Sequence, residues 1–208
     1  VPLSLPLTAN RVLLGLLQGI EAVSIPGCLK LYNHSTSEAL STYGVLTGMA
    51  LPCILFPSAI TNSVSIMLMP TVAELQVKDQ ASGIRKLLQK VLGSCFLMGL
   101  FCCLFFLFFG QLIGQFLFAS DLAGNFIITL AWICPFLYVN GSLLSVLNGF
   151  GKTTTSFTIN TVGLAIRIGS VFFAIPVFGI QGYLWGLLIS QLAVSISCSV
   201  VLKHLISA

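Results

Sequence analysis

The chain has 208 residues, of which 57% are hydrophobic and 7% are charged, and its mean hydropathy is +1.05. Soluble domains carry roughly 25% charged residues because they need a water-facing surface, so this composition excludes a soluble domain. The net charge of +4 does not indicate a nucleic-acid partner. The basic residues lie at the ends of apolar stretches, where membrane topology explains them.

Continuous apolar stretches recur along the whole chain. A bilayer core of about 30 Å requires about 20 apolar residues per helix, and continuous rather than alternating hydrophobicity favours helices over β-barrel strands. In chain order the stretches cover residues 5–29, 44–72, 91–109, 123–147, 155–177 and 181–202. We therefore predict an all-α membrane protein with about six transmembrane helices.

The first predicted helix carries two charged residues, Arg11 and Glu21. A charge inside a bilayer costs at least about 2.5 kcal/mol on insertion scales, and it usually faces a cavity or a partner. Arg11 lies near the start of the helix, where it either extends to the cytoplasmic interface or lines a cavity. Glu21 lies deeper, so it needs a partner on another helix, a cavity or a proton.

The second predicted helix is interrupted by Pro52, Pro57 and Pro70. Proline removes a backbone donor and bends a helix, and in a membrane the freed carbonyl groups need neighbours or cavity water. Broken helices are typical of transporters, so Pro52 and Pro57 are candidate hinges. The alternative is a kink that only shapes the packing.

The connection after the second helix is the most basic part of the chain, with Lys78, Arg85, Lys86 and Lys90. Lysine and arginine concentrate in cytoplasmic loops, so this connection is predicted to be cytoplasmic, and with six spans both chain ends are too. The apolar side chains of residues 84–91 share one helical face. This predicts a short amphipathic helix on the cytoplasmic surface of the membrane.

The fifth predicted helix combines an arginine with a stripe of polar and small residues. Residues on one helical face recur at three- and four-residue steps, and the stripe comprises Thr153, Ser156, Asn160, Gly163, Arg167, Ser170 and Ala174. Arg167, Asn160 and Ser170 are therefore candidate cavity residues. An inward arginine suits an anionic ligand such as a phosphate or pyrophosphate group. The structural alternative for Arg167 is an ion pair, for example with Glu21.

In the sixth predicted helix, Gly182, Gly186 and Ser190 recur at four-residue spacing. Such a stripe of small residues lets two membrane helices approach closely. Helix packing is therefore a sufficient explanation for it.

The sequence contains none of the patterns that support catalysis or a metal site. The seven cysteines have no C-x-x-C spacing, and His34 and His204 lie outside the predicted helices, so we expect no metal, no cofactor and no disulfide framework. The stretch Gly149–Thr153 ends like a phosphate-binding loop, but Val146 occupies the position of the first glycine. Without a catalytic constellation, the chain is not expected to be an enzyme.

Several short stretches, taken together in order, resemble one family. They are Ile20–Pro26, Tyr43–Pro52, Phe56–Ser58, Met69–Pro70, Pro135–Tyr138, Leu147–Lys152 and Pro176–Tyr183. In this order and spacing the chain resembles the stage V sporulation protein B type of polysaccharide-biosynthesis flippase. That type belongs to the multidrug/oligosaccharidyl-lipid/polysaccharide exporter superfamily.

The resemblance implies a bacterial plasma-membrane transporter of two helical lobes, which alternates access around a central cavity. It implies outward movement of lipid-linked saccharide precursors for cell-wall or spore-wall synthesis. Residues 1–208 would be a single transmembrane lobe, the second of a longer protein, with a cytoplasmic N-terminus. Its partners would be the lipid bilayer, the missing N-terminal lobe and an anionic lipid-linked substrate.

One departure from the wider superfamily concerns the second predicted helix. Related peptidoglycan-precursor flippases carry an arginine early in the matching helix, whereas Tyr43–Thr47 contains none. Their substrate chemistry is therefore not transferred to this chain.

Two alternatives stay open from the sequence. A cation-coupled multidrug antiporter of the same superfamily would use Glu21 as its proton or sodium site. A non-transporting membrane scaffold would belong to a different class. The inward charges argue against a scaffold, because it has no need of them.

Overall fold

The computed structural model describes residues 4–33, 35–77 and 81–207, and within them the side chains of residues 12–32, 35–77 and 83–205. All regular secondary structure in these ranges is helical, which confirms the predicted all-α class. The elements are α1 (Ser4–Asn33), α2 (Thr36–Val45), a π-helix (Leu46–Ala50), α3 (Leu51–Leu55), α4 (Ser58–Val77), α5 (Ala81–Phe118), α6 (Asp121–Ala131), α7 (Cys134–Gly149), α8 (Thr153–Phe173), α9 (Ile175–Phe178) and α10 (Ile180–Ser207).

The number of membrane spans agrees with the prediction of about six. Within the described ranges, five helical segments are long and apolar enough to cross a bilayer, namely Val12–Tyr32, Thr36–Leu55, Gly83–Phe118, Thr153–Phe173 and Ile180–Leu205. The pair α6 and α7, bent by 55°, makes a sixth span if the two are counted together. The chain is thus an all-α, multi-pass membrane protein.

Consecutive spans run antiparallel, so the connections lie at two opposite ends of the bundle. At one end Tyr32 packs on Gly179, which brings the end of α1 next to the start of α10. At the other end Gly149 packs on Met69 and Val72. We call this second end the basic end, because it carries Arg85, Lys86, Lys90, Lys152 and Lys203.

Two clusters of buried apolar side chains form the core, and they lie at different depths. The larger cluster lies away from the basic end and includes Leu29, Phe126 and Leu184. The smaller cluster lies at the basic end and includes Val72 and Leu147. The polar residues of the bundle interior are concentrated between these two apolar layers.

The second predicted helix is longer than residues 44–72, since its helical run extends from Thr36 to Val77 with a break at Phe56–Pro57. Pro57 has no N–H group, so regular α-helical bonding cannot pass through it. The other two prolines do not break the run: Pro52 lies in the first turn of α3, and Pro70 lies inside α4.

Side chains satisfy two backbone carbonyl groups beside this break. The Tyr138 hydroxyl on α7 donates to the Ile54 carbonyl at 2.8 Å, and the Ser58 hydroxyl donates to the Leu55 carbonyl at 2.6 Å. These bonds replace the water that a broken helix would otherwise need, as expected for a break inside a membrane.

The third predicted helix, 91–109, is part of a much longer helix. Helix α5 has 38 residues, or about 57 Å at 1.5 Å per residue, so it extends well beyond a bilayer core of about 30 Å. The amphipathic segment predicted as a separate surface helix is the beginning of α5. The prediction was wrong on this point because Ile84 and Leu88 are buried in the smaller apolar cluster, not spread over the membrane surface.

The fourth and fifth predicted helices are also interrupted. The fourth, 123–147, bends by 55° between α6 and α7, just before Pro135. The fifth, 155–177, ends as α8 at Phe173, and the four-residue α9 follows with Pro176 in its first turn. The sixth, 181–202, matches α10 and continues for one more turn.

The small residues of α10 allow close contact with α8, as predicted. A Cβ atom on Gly182 would lie 2.6 Å from the Ala174 carbonyl oxygen, and Gly186 lies directly against Ser170. From α8, a Cβ atom on Gly163 would lie 2.5 Å from Val194. The two helices therefore meet with glycine on both sides of the contact.

Candidate functional site

Glu21 is buried in the middle of the bundle and pairs with Arg167. Only 3% of Glu21 is exposed, against 25% of the Arg167 side chain. The Arg167 Nε atom donates to Glu21 Oε1 at 2.9 Å, and Nη2 donates to Oε2 at 2.6 Å. The ion pair named above as the structural alternative for Arg167 is therefore present, and it is bidentate, the strongest geometry for such a pair.

Tyr183 on α10 completes the surroundings of the carboxylate. Its hydroxyl donates to Glu21 Oε1 at 2.8 Å, and its side chain is buried. Three hydrogen bonds from two helices thus compensate a charge that would be costly to bury without partners. The same bonds tie α1, α8 and α10 together across 146 and 162 positions of sequence.

Tyr183 was not among the site residues predicted from the sequence. A hydroxyl-bearing aromatic one position after Gly182 was the available signal, but it does not by itself indicate a carboxylate partner. The interaction depends on how α1 and α10 are placed, which local patterns do not determine.

A polar cavity of about 270 Å³ lies beside the ion pair, between the two apolar clusters. It is formed by α1, α4, α7, α8 and α10. Its polar lining consists of Gln18, Asn62, Asn140, Asn160, Arg167, Ser190 and Gln191. Arg167 therefore borders the cavity while its Nε and Nη2 atoms bind Glu21, and its Nη1 atom is not used by that carboxylate.

An amide pair across α7 and α10 lines the cavity. The Asn140 Nδ2 atom donates to the Gln191 backbone oxygen at 3.0 Å and to the Gln191 Oε1 atom at 2.7 Å. The Asn140 Oδ1 atom is buried, and no described residue donates to it. A buried acceptor that receives no hydrogen bond costs about 1–3 kcal/mol, and among the described residues this atom receives none. Neither residue was identified from the sequence.

The remaining predicted site residues divide between the cavity and the packing. Asn160 lines the cavity. The Ser170 hydroxyl donates to the Arg167 backbone oxygen at 2.7 Å, and the residue packs on Gly186, outside the cavity lining. Pro52 and Pro57 belong to the broken second span. Arg11 lies on α1 but outside the residues whose side chains are described.

A π-helical turn lies next to the ion pair. Tyr43 and Thr47 line a smaller pocket of about 230 Å³ together with Glu21, Arg167 and Tyr183. Thr47 belongs to the π-helix, and its hydroxyl donates to the Tyr43 carbonyl at 2.8 Å. Single π-helical turns occur often at functional sites, and this one borders the pocket beside the buried ion pair.

Comparison with known proteins supports one relationship. The chain is similar to stage V sporulation protein B of Bacillus subtilis. The two are 26% identical over 181 residues, which cover 86% of this chain and 35% of the relative. The chain therefore spans about a third of the length of the relative that it matches, and the match confirms the predicted resemblance to stage V sporulation protein B. No family model and no solved structure matches the chain.

Proposed function

We propose that this chain is one lobe of a membrane transporter that moves a lipid-linked saccharide precursor across the bilayer by alternating access. The observation that carries the proposal is the polar cavity with Arg167 at its edge, placed between two apolar layers of a membrane bundle. Transporters of helical type place their substrate sites near the middle of the membrane, where discontinuous helices meet.

The cavity chemistry supports an anionic substrate that also carries hydroxyl groups. A guanidinium group is suited to phosphate or pyrophosphate. The amides of Asn140, Asn160 and Gln191 offer both donors and acceptors to hydroxyl groups. A lipid-linked saccharide presents both chemistries in one molecule.

A membrane scaffold has no use for this arrangement. Polar and ionised groups inside a membrane are costly and usually mark a path for a substrate or an ion. Among the described residues, the cavity gathers seven polar side chains from five helices. A scaffold could pack the same helices with apolar residues.

The cation-coupled antiporter alternative fits the geometry less well. Glu21 would have to bind a proton or a sodium ion, yet both of its oxygens accept hydrogen bonds from Arg167, and one also accepts from Tyr183. A cation would have to displace a guanidinium group. An anionic ligand has an easier route, since it can compete with Glu21 for Arg167.

In the proposed mechanism this lobe rocks against a second lobe of the same protein. Arg167 exchanges its Glu21 partner for the substrate phosphate as the cavity opens. The break at Pro57 and the π-helix beside Tyr43 are the proposed hinges, because both interrupt regular helical bonding in the second span.

The test is transport of a fluorescent lipid-linked saccharide by the full-length protein in proteoliposomes. Arg167→Gln is expected to reduce the rate at least about tenfold, the minimum for the loss of about 1.4 kcal/mol of a charge-assisted contact. Lys86→Gln removes an exposed positive charge on α5 outside the cavity and is expected to leave the rate unchanged. Normal transport by a well-folded Arg167→Gln variant would overturn the proposed role of Arg167.

The proposed orientation places the basic end, and with it the N-terminus of the chain, in the cytoplasm of a bacterial cell. An amine-reactive reagent that does not cross the plasma membrane tests this orientation. Lys86 and Lys90 are exposed on α5, so they are expected to react only after the cells are permeabilised. Labelling of both in intact cells would reverse the orientation.

A further inference from the structure

A cleft of about 390 Å³ opens at the basic end, away from the polar cavity and the ion pair. Its walls are α5 and α10, and Leu143 of α7 lies at its base. Helix α7 packs against both walls, while α5 and α10 make few contacts with each other. The cleft is therefore a gap between two membrane helices.

The deep part of the cleft is apolar. Its walls here are Leu88 and Leu92 of α5 and Leu202 of α10, together with Leu143. Leu88, Leu143 and Leu202 belong to the smaller apolar cluster, so the cleft is an opening into the core of the bundle. Branched apolar side chains at this depth provide contacts for hydrocarbon.

The mouth of the cleft is positively charged. Arg85 lies in the second turn of α5, and Lys203 lies near the end of α10. Because α5 begins and α10 ends at the same end of the bundle, both side chains border the cleft on the side of the basic end. No acidic side chain lines the cleft within the described part of the chain.

Two uncharged polar residues share the exposed rim of the cleft with the cations. Gln89 lies one turn further along α5 than Arg85, and Ser199 lies one turn before Lys203 on α10. The exposed rim of the cleft is thus cationic and polar, and its inner wall is apolar. A glycerophospholipid has the matching division, with a polar headgroup that carries a phosphate at one end and acyl chains at the other.

We infer that this cleft binds one anionic glycerophospholipid of the membrane, with its phosphate at Arg85 and Lys203 and an acyl chain against the leucines. Basic pockets between membrane helices on the cytoplasmic side commonly bind anionic headgroups. The apolar base favours a lipid over a soluble anion, because inorganic phosphate has no apolar part that could pack against the leucines. The site shares no residue with the cavity or with the ion pair, so it stands independently of the proposed transport function.

The experiment measures lipid retained on the full-length protein by native mass spectrometry after exchange into detergent containing phosphatidylglycerol. The wild type is expected to retain one tightly bound molecule. Since each basic residue near an anionic surface contributes about 1 kcal/mol, the pair Arg85→Gln and Lys203→Gln is expected to weaken binding roughly 30-fold. The pair Lys86→Gln and Lys90→Gln removes the same charge from exposed positions outside the cleft and is expected to retain the lipid.

A second variant tests the cleft itself without changing its charge. Ser199 is exposed on the cleft wall, so Ser199→Phe would fill the space while sparing the core, and it is expected to exclude the lipid. The proposal would be overturned if both double variants lost the lipid equally and Ser199→Phe retained it. That outcome would indicate a general attraction between a basic surface and anionic lipid.

Three further probes distinguish the possible sources of the phosphate group. Glycerol 3-phosphate and inorganic phosphate are expected not to compete with phosphatidylglycerol at millimolar concentration, because neither has an acyl chain. Competition by either would overturn the lipid assignment. Phosphatidylcholine is expected not to be retained, and its retention would overturn the requirement for a net negative headgroup.

Discussion

Two helix pairs in this bundle pack closely through glycine in the same way, but they border different chemical surroundings. In the α5–α6 pair a Cβ atom on Gly114 would lie 2.5 Å from the Gly124 Cα atom, and in the α8–α10 pair a Cβ atom on Gly163 would lie 2.5 Å from Val194. The first pair adds Phe126 to the larger apolar cluster, whereas the second borders the polar cavity. Close approach through glycine is thus a general feature of the fold. The buried polar site is a separate feature, which borders the α8–α10 pair and not the α5–α6 pair.

The largest difference between the α8–α10 pair and the α5–α6 pair is expected in the loss of stability when one polar contact is removed beside each. Arg167→Met leaves the Glu21 carboxylate buried without its cation, which typically costs about 3–5 kcal/mol. Gln115→Ala removes the 2.9 Å hydrogen bond from Gln115 to Asp121 at the exposed end of the α5–α6 pair, and about 1 kcal/mol or less is expected. Reversible unfolding of the full-length protein in mixed micelles measures both.

A double-mutant cycle tests whether the two residues act as an ion pair. Glu21→Gln combined with Arg167→Met removes both charges, so the double variant is expected to lose less stability than the sum of the losses in the two single variants. Coupling between neighbours in one network is commonly about 0.5–3 kcal/mol. Strict additivity would mean that the two residues do not act as an ion pair in the membrane.

The second largest effect is expected from enlarging the glycines themselves. Gly163→Val and Gly114→Val both force apart helices that are already in contact, and overpacking of this kind costs about 1–3 kcal/mol. Only Gly163→Val is expected to reduce transport in addition, because Gly163 lines the cavity. Equal loss of transport from both would contradict the separation of packing and chemistry.

A matched control lies on the same helix as Gly163. No atom of the described residues lies within 4 Å of a Cβ atom added to Gly169, so Gly169→Ala is expected to cause no steric clash. Alanine is favoured over glycine in a helix by about 1 kcal/mol, and this variant is expected to be at least as stable as the wild type. Destabilisation by Gly169→Ala would indicate a partner for this face of α8.

The packing of the helices and the polar site differ in how much of each could be predicted from the sequence. Hydropathy predicts the number of spans because a bilayer sets the length of each apolar stretch. The four-residue spacing of Gly182, Gly186 and Ser190 predicts a close helix contact because it places small residues on one face. Both signals are local, and both concern packing.

The polar site could be predicted only in part for a physical reason. The cost of burying charge indicates that Glu21 needs a partner, but it does not identify which one. Tyr183, Asn140 and Gln191 acquire their roles from contacts between helices that are distant in sequence. The bend before Pro135 had a local signal, whereas the π-helix had none.

A smaller effect is expected at the break in the second span. Tyr138→Phe removes the hydroxyl that binds the Ile54 carbonyl and leaves that carbonyl buried, at a cost of about 1–2 kcal/mol. Tyr32→Phe is the control, because Tyr32 is 47% exposed, and little change is expected. If Pro57 acts as a hinge, Tyr138→Phe should also alter the transport rate. An unchanged rate in a destabilised variant would leave Pro57 a packing kink only.

The smallest effect, and the most specific, is expected from the amide pair. Asn140→Leu loses two hydrogen bonds but also removes the buried Oδ1 acceptor, to which no described residue donates. Gln191→Leu instead leaves that acceptor in place and takes the Oε1 partner from Asn140 Nδ2. Because unmet buried groups cost more than made hydrogen bonds gain, Gln191→Leu is expected to be the more destabilising by about 1 kcal/mol. The reverse order in unfolding experiments would mean that Asn140 Oδ1 has a partner in the membrane, such as a bound water or a substrate hydroxyl.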